Sequence, residues 1–451
     1  MKNPYGLERP EILDLAPPQP RSVEETGLST GFLTDLALKF LYYGGLMSGV
    51  TVADEMGLPF SGVVDEIIDF MAQEKLVDMR GGKGFGRASF DYTLTERGRE
   101  VAREAVRRTA YTGRAPIPLE QYSSLVRLMM QDVPFIDKTM ILEAFKSLVL
   151  PEGFFEQLGP AINSSRSLFL YGPPGNGKTT VAEIVADILG GEVFVPHAIE
   201  IDGQVIKVYD PLSHHAVDFE RTASRPPPIK GGRAGAGTPL GKKAGPEFDR
   251  RWLLSDRPSV VVGGELTLET LDLIYNVNTQ FYEAPFQVKA NGGMLLIDDF
   301  GRQRVHPTDL LNRWIVPLEK RIDFLTLHTG KKFEIPFDQL IIFATNLDPK
   351  ELVDEAFLRR IKYKIDVKNP TEDEYRQIFR DVCTAKGIRY TDDVVTYILH
   401  TYYRQFDMEL RSCHPRDIVN LICDVARFRR LKPALGKELV DQACRSFFVV
   451  M

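Results

Sequence analysis

Apolar positions along this chain change their period several times, and each change marks a different kind of element. Over Gly31–Tyr43 and again over Gly62–Lys75 they recur every three to four residues, with Val63, Val64, Ile67, Ile68 and Met71 on one stripe. Val50–Met56 is a further helical piece, followed by a turn at Leu58–Ser61. Leu76–Met79 and Phe90–Leu94 are short runs of strand character, and Thr95 opens a long helix. Residues 28–110 thus read helix, helix, helix, strand, loop, strand, helix. Leu119–Gln131 and Lys138–Leu148 return to the helical period. Four apolar runs of the fully buried kind come next: Ser167–Tyr171, Ser259–Gly263, Gly293–Phe300 and Leu340–Asn346. Glu192–Pro196 and Val205–Tyr209 read as two more strands, Glu265–Ile274 as a capped helix, and Asn276–Ala290 and Phe324–Phe337 as hairpins or extended loops. From Thr371 onward the pattern is helical over Thr371–Lys386, Thr391–Phe406, Pro415–Arg429 and Gly436–Phe448.

Composition narrows the class without naming it. With 451 residues, 43% hydrophobic and 26% charged, the chain is an ordinary globular protein of several domains. A net charge of -6 argues against a protein that coats nucleic acid along its whole surface, while leaving room for a local basic site. Cys383, Cys413, Cys423 and Cys444 form no Cys-x-x-Cys pair, so reduced thiols and a cytoplasmic location are expected. No run of about 18 apolar residues marks a membrane span. Residues 1–27 are rich in proline and read as an extended arm, either a linker or a segment packed on a neighbouring subunit. Within residues 211–258, Arg221–Arg251 is rich in Pro and Gly. It carries eight Lys or Arg against Glu247 and Asp249, with Glu220 just before it. This is an insertion, either a plain surface loop or one that meets a substrate or polyanion.

The sharpest chemistry lies at Gly172-Pro173-Pro174-Gly175-Asn176-Gly177-Lys178-Thr179-Thr180, which fits G-x-x-x-x-G-K-[ST] between an apolar strand and a helical run. Glycines let backbone N–H groups converge on phosphate oxygens, and the helix N-terminus adds positive charge. Lys178 is placed to reach the β- and γ-phosphates and Thr179 to join a Mg²⁺ shell. A nucleoside triphosphate, ATP, is the expected ligand. Gly293–Phe300 ends in Asp298 and Asp299: Asp298 is the expected Mg²⁺ partner, and Asp299 stands where a carboxylate polarises the attacking water. Leu340–Asn346 ends in Thr345-Asn346, whose amide can orient that water.

A strand ending in Ala-Thr-Asn, after such a loop and such an acidic strand, resembles sensor 1 of the AAA+ ATPases. The resemblance spans roughly residues 150–451. It implies an α/β fold: a P-loop AAA+ module, a parallel sheet with flanking helices over residues 166–367, and a C-terminal α-helical lid over 368–451. Asp354–Ile361 resembles the arginine-finger segment, which makes Arg359 or Arg360 a donor to the neighbouring subunit's ATP, Arg360 being preferred because it directly precedes the next strand. His414-Pro-Arg416-Asp-Ile418 resembles the start of the sensor 2 helix, with Arg416 acting in cis. A finger given in trans implies a closed ring, most often of six subunits. Phe281–Asp299 is similar to the approach to the acidic strand in the enhancer-binding activators, MoxR-like and magnesium-chelatase-like ATPases. There Phe281 and Tyr282 would face the ring pore, unless they are core. The activators' Gly-Ala-Phe-Thr-Gly-Ala signature is absent, so σ-factor remodelling is not supported. A helical connector occupies 111–165. Residues 28–110, ending in Tyr-x-Leu-Thr-x-x-Gly, resemble a winged helix. Either its third helix and the wing residues Arg80, Lys83 and Arg87 meet DNA, or the wing contacts protein. Asp65, Glu66, Asp69 and Glu74 against Lys75 alone favour protein. The expected work is ATP-driven, chaperone-like remodelling of a protein substrate or adaptor by a ring, the alternative being a DNA-bound regulator or motor.

Overall fold

The computed structural model describes residues 12–82, 86–131, 135–164, 166–217, 248–352 and 355–448. At its centre lies a five-stranded parallel sheet in the order Ser259–Val262, Met294–Ile297, Leu340–Thr345, Ser167–Tyr171, Tyr363–Asp366. Every residue of Met294–Ile297 and Leu340–Thr345 is buried, because helices or loops cover both faces of a parallel sheet. One face packs on Glu152–Asn163 and Lys178–Leu189. The other carries an aromatic layer in which Phe169 stacks on Phe343 and meets Phe300 edge-on, with Trp314 and Phe337 beyond. Since the strands are parallel, the loops after Tyr171, Ile297 and Thr345 leave from one edge, where ligands of such sheets bind.

Two further strands expected from the sequence, Glu192–Pro196 and Val205–Tyr209, form outside the central sheet: the first pairs antiparallel with Trp252–Asp256, and the second is Gln204–Lys207. A second sheet runs Ile274–Asn276, Phe281–Glu283, Gln204–Lys207, Ala198–Ile201, Ile117–Pro118. Ala198–Ile201 and Gln204–Lys207 form a hairpin across Asp202-Gly203, both at positive φ, the Asp-Gly turn whose twist suits a two-residue hairpin.

The helix expected over Glu265–Ile274 does not form. Only a single turn, Glu269–Leu271, is helical, and Ile274 already belongs to a strand. Thr267 and Thr270 bond each other's backbone through their hydroxyls, and such local bonds compete with helix propagation. The four expected C-terminal helices are Glu372–Ala385, Asp392–Ile398 continued by Leu399–Tyr403, His414–Phe428 and Lys437–Phe447. Thr371 and Glu374 close the first with a reciprocal capping box.

Ahead of the sheet, Thr30–Gly44, Gly49–Met56, Asp65–Gln73 and Glu96–Arg108 surround a small antiparallel sheet ordered Met47–Ser48, Phe90–Leu94, Val77–Gly82. Ser29, Ser48 and Thr95 each cap the helix that follows. The core of this unit runs on into Ala198 and Val205 of the second sheet. Residues 12–27 pack on the same chain: Asp249 N–H donates to Pro17 O, and buried Arg251 donates to Thr26 O and Pro116 O while pairing with Asp249. Lys83 and residues 218–247 of the insertion lie outside the described residues.

Candidate nucleotide site

Ser167–Tyr171 ends at the sheet edge and Lys178 begins a twelve-residue helix. The turn between them needs glycine at particular places. Gly172 has φ +132, and a Cβ there would meet Val367 O at 2.5 Å; Gly177 has φ +83 with open space around it. A glycine-rich loop of this kind before a helix N-terminus can cradle phosphate oxygens with its backbone N–H groups. Lys178 is buried, and its ammonium donates to Gly172 O and Pro173 O at 2.9 Å each. Burial pushes its pKa down, against the pull of Asp299 and Asp298. A buried ammonium held by carbonyls alone is well suited to accept an anion.

Asp298 and Asp299 follow Ile297 at the same edge. Asp298 Oδ2 accepts from the Thr179 hydroxyl at 2.9 Å, so the two groups expected to hold Mg²⁺ face each other. Among the described residues no cluster of three or more His, Cys, Asp or Glu could hold a metal. The donor set instead suits a hard cation that takes few protein ligands and completes its shell with phosphates and water. Asp299 has φ +49, a conformation that Asp tolerates, and its Oδ1 accepts from Asn346 Nδ2 at 3.0 Å. Thr345 fixes that asparagine, since its buried hydroxyl donates to Phe300 O at 2.6 Å and accepts from Leu347 N–H. Thr179, Asp298, Asp299 and Asn346 thus form one polar line below the loop.

The loop is also bonded to the C-terminal helices, a contact the sequence did not indicate. Asn176, 4% exposed, donates to Asn369 Oδ1 at 2.8 Å and accepts from Ser412 N–H at 3.0 Å. Gly175 O accepts from Cys413 N–H at 2.9 Å. Beside this seam lies a cavity of about 350 Å³, lined by Ser147–Leu150, by Gly175–Gly177 and Thr180 of the loop, and by Ile378, Val382 and Arg416. Its size is that of a small-molecule pocket. Arg416 lines it with a side chain 67% exposed, 3.4 Å from Asp417. Pro173 and Pro174 complete the loop between Gly172 and Gly175.

The remaining expected residues are placed less uniformly. Arg360 donates to Glu319 of the same chain at 2.6 Å, whereas the Arg359 side chain is exposed. The preference for Arg360 as the residue that crosses to a neighbour therefore meets a competing partner within the chain. Asp354 lies outside the described residues. The pore placement of Phe281 and Tyr282 is corrected. Tyr282 is 1% exposed, packed against Tyr275 and bonded to His328, while Phe281 meets Tyr111 edge-on at 5.8 Å. The two side chains leave opposite faces of their strand: Tyr282 is buried in the core of the second sheet and Phe281, half-buried, packs on the core of the N-terminal helices, leaving Ile274 and Val277 as the hairpin's exposed apolar residues. Phe324–Phe337 contains the expected hairpin, Ile322–Thr326 with Lys332–Pro336, and Phe324 is exposed.

A phosphate loop at the end of one strand of a parallel sheet, an acidic pair two strands away and a polar sensor on the strand between them define a P-loop nucleotide-binding module. Residues 168–221 match the family model described as "ATPase family associated with various cellular activities (AAA)", and residues 371–446 match one described as "Domain of unknown function (DUF8689)". The chain carries an AAA+ ATPase module. No curated protein matches the chain. Among solved structures, the Thermotoga maritima RuvB Holliday junction branch migration motor aligns with 65% of this chain and 68% of its own, at 14% identity and a TM-score of 0.34. NtrX from Brucella abortus in complex with ADP aligns with 75% of this chain and 64% of its own, at 14% identity and a TM-score of 0.37. Among the described residues, no helix is long and apolar enough to cross a membrane.

Proposed function

We propose that the chain is a Mg²⁺-dependent ATP hydrolase that works as a cytoplasmic ring and uses turnover to remodel a protein substrate. The observation that carries the hydrolytic part is the polar line Thr179–Asp298–Asp299–Asn346 at the sheet edge, directly below the phosphate loop. In this reading the loop N–H groups and Lys178 bind the triphosphate, with Lys178 leaving Gly172 O and Pro173 O for phosphate oxygens. Thr179 and Asp298 hold Mg²⁺, which when bound neutralises charge across the β- and γ-phosphates. Asn346 donates to one carboxylate oxygen of Asp299. The other is left to orient a water against the γ-phosphorus and to take its proton as ATP and water become ADP and phosphate. Arg416 adds positive charge from the lid. Arg359, exposed where Arg360 is tied to Glu319, is the better placed of the two to serve a neighbouring subunit, and a head-to-tail ring of six gives every site one such donor.

The division of labour we propose is a winged helix over 28–110, a connector over 111–165, the nucleotide module over 166–367 and a helical lid over 368–451. A protein substrate is favoured over DNA by one contact. Arg87 beside the wing makes a two-pronged pair with Asp69 of the third helix, one arm at 2.8 Å, so this base is already neutralised on the face that would meet a phosphate backbone. Binding of a labelled duplex, titrated with salt, tests the choice. No binding near physiological salt is expected. Tight binding that charge reversal at Arg80 and Arg87 abolishes would replace the protein reading with the DNA one.

A further inference from the structure

Arg411 belongs to none of the motifs that mark the nucleotide site, yet it lies against the phosphate loop. The two residues after it are bonded there, Ser412 N–H to Asn176 Oδ1 and Cys413 N–H to Gly175 O. A Cβ on Gly175 would come within 3.6 Å of Arg411 Cδ and 3.7 Å of its Cβ, so the aliphatic stem runs along the loop. Its charge is felt at Lys178, whose pKa it helps to lower, and at buried His414, which burial and Arg411 together hold at about 4. His414 is bonded at Nδ1 by Tyr403 at 2.8 Å, which Tyr375 meets at 3.0 Å, and the Asp417 carboxylate pulls its pKa the other way without overcoming burial and Arg411.

Among the described residues no carboxylate lies within ion-pair distance of the Arg411 guanidinium. Arg411 Nε is buried without a hydrogen-bond partner. A buried, unpaired N–H of this kind is costly to leave without an acceptor. By contrast, Arg416, which the sequence singles out, is largely solvated and already beside Asp417. Two cations, Lys178 and Arg411, therefore lie against one loop, and among the described residues neither makes an ion pair with a carboxylate.

We infer that Arg411 is a second lid arginine that binds the terminal phosphates of the nucleotide and supplies the loop with a cation from the opposite side. The inference rests on the ATP reading above and deepens it. A planar guanidinium grips phosphate oxygens with a fork of donors that an ammonium lacks. The lysine of such a loop reaches the β- and γ-phosphates, so a cation beside it distinguishes ATP and ADP from AMP. Because residues 412 and 413 are hydrogen-bonded to residues 175 and 176, an anion in the loop also draws the lid segment onto it.

The test is calorimetric titration of the full chain with ATP, ADP and AMP in Mg²⁺, for the wild type, Arg411→Ala, Arg411→Lys and Lys178→Ala. The expected result is that Arg411→Ala weakens ATP and ADP at least tenfold and leaves AMP within twofold. Arg411→Lys should recover part of the loss, and the ligand-free Tm should be unchanged or raised. Unchanged ATP and ADP affinities would overturn the inference, as would an equal loss for AMP accompanied by a lower ligand-free Tm, which marks a structural role. A wild type that binds none of the three overturns the ATP reading itself. Wild-type binding lost in Lys178→Ala but intact in Arg411→Ala overturns only the role given to Arg411.

Discussion

Asn176→Ala tests whether the seam between loop and lid matters to the nucleotide. The substitution removes two hydrogen bonds, at 2.8 Å to Asn369 and 3.0 Å from Ser412, and leaves the Ser412 N–H facing a small void. Each bond is worth about 1 kcal/mol net, and an orphaned buried donor adds a comparable cost, so the closed seam loses about 2–3 kcal/mol. With 1.4 kcal/mol per factor of ten, the ratio of closed to open seam falls roughly 30- to 100-fold. The cavity takes one wall from Gly175–Thr180 and another from Ile378, Val382 and Ser412. Only the closed arrangement offers both, and apparent affinity scales with its population. Titration with ATP should therefore show Asn176→Ala at least about tenfold weaker, and Asn369→Ala, which loses one bond across the seam besides its bond to Glu409, weaker by at least roughly fivefold. The backbone N–H of residue 176 survives both changes, so direct phosphate contacts are untouched. Wild-type ATP affinity in Asn176→Ala would refute the reasoning.

Two further outcomes concern the frame that holds the site. Burial lowers the pKa of Lys39 from 10.5 to about 8, while its ammonium donates to Thr109 O. Between pH 8 and 10.5 the unfolded chain holds a proton that the folded chain lacks, so stability should rise with pH across that window. Below it the charged form costs the folded state roughly 3 kcal/mol. Denaturant midpoints at pH 7 and 9 should show Lys39→Met more stable than wild type at pH 7 and with a flatter profile; parallel profiles would contradict this. Tyr282→Ala should cost about 3–5 kcal/mol of stability, as for a large buried aromatic, read from the unfolding midpoint. A change within about 0.5 kcal/mol is what an exposed pore residue would give.

How far the sequence reveals this architecture depends on how local each signal is. The loop Gly172–Thr180, the acids after Ile297 and the asparagine after Thr345 are legible because strand, turn chemistry and site residue are contiguous. Parallel pairing then brings the three strand ends together. The C-terminal helices are legible from period and capping, as at Thr371 and Glu374. Glu192–Pro196 is legible as a strand, but nothing local says that its partner is Trp252–Asp256. Ala198–Ile201 could have been found from Asp202-Gly203. The side-chain facing of Phe281 and Tyr282 is set by pairing with Gln204–Lys207, more than 70 residues away, and their aromatic character fits a pore as readily as a core. Asn176 meets Ser412, and Gly175 meets Arg411, across more than 230 residues of chain, so these contacts are written only in the folded structure.

The central claim is that Lys178, Asp298, Asp299 and Asn346 assemble one ATP-hydrolysing site. Its most direct test is steady-state phosphate release from ATP in Mg²⁺, measured beside ATP affinity, for the wild type and Asp299→Asn. Turnover is expected of the wild type, and the Asp299→Asn chain should bind ATP as tightly yet release phosphate at least about 100-fold more slowly, the usual loss when a positioned base is removed. Wild-type turnover in Asp299→Asn would contradict it.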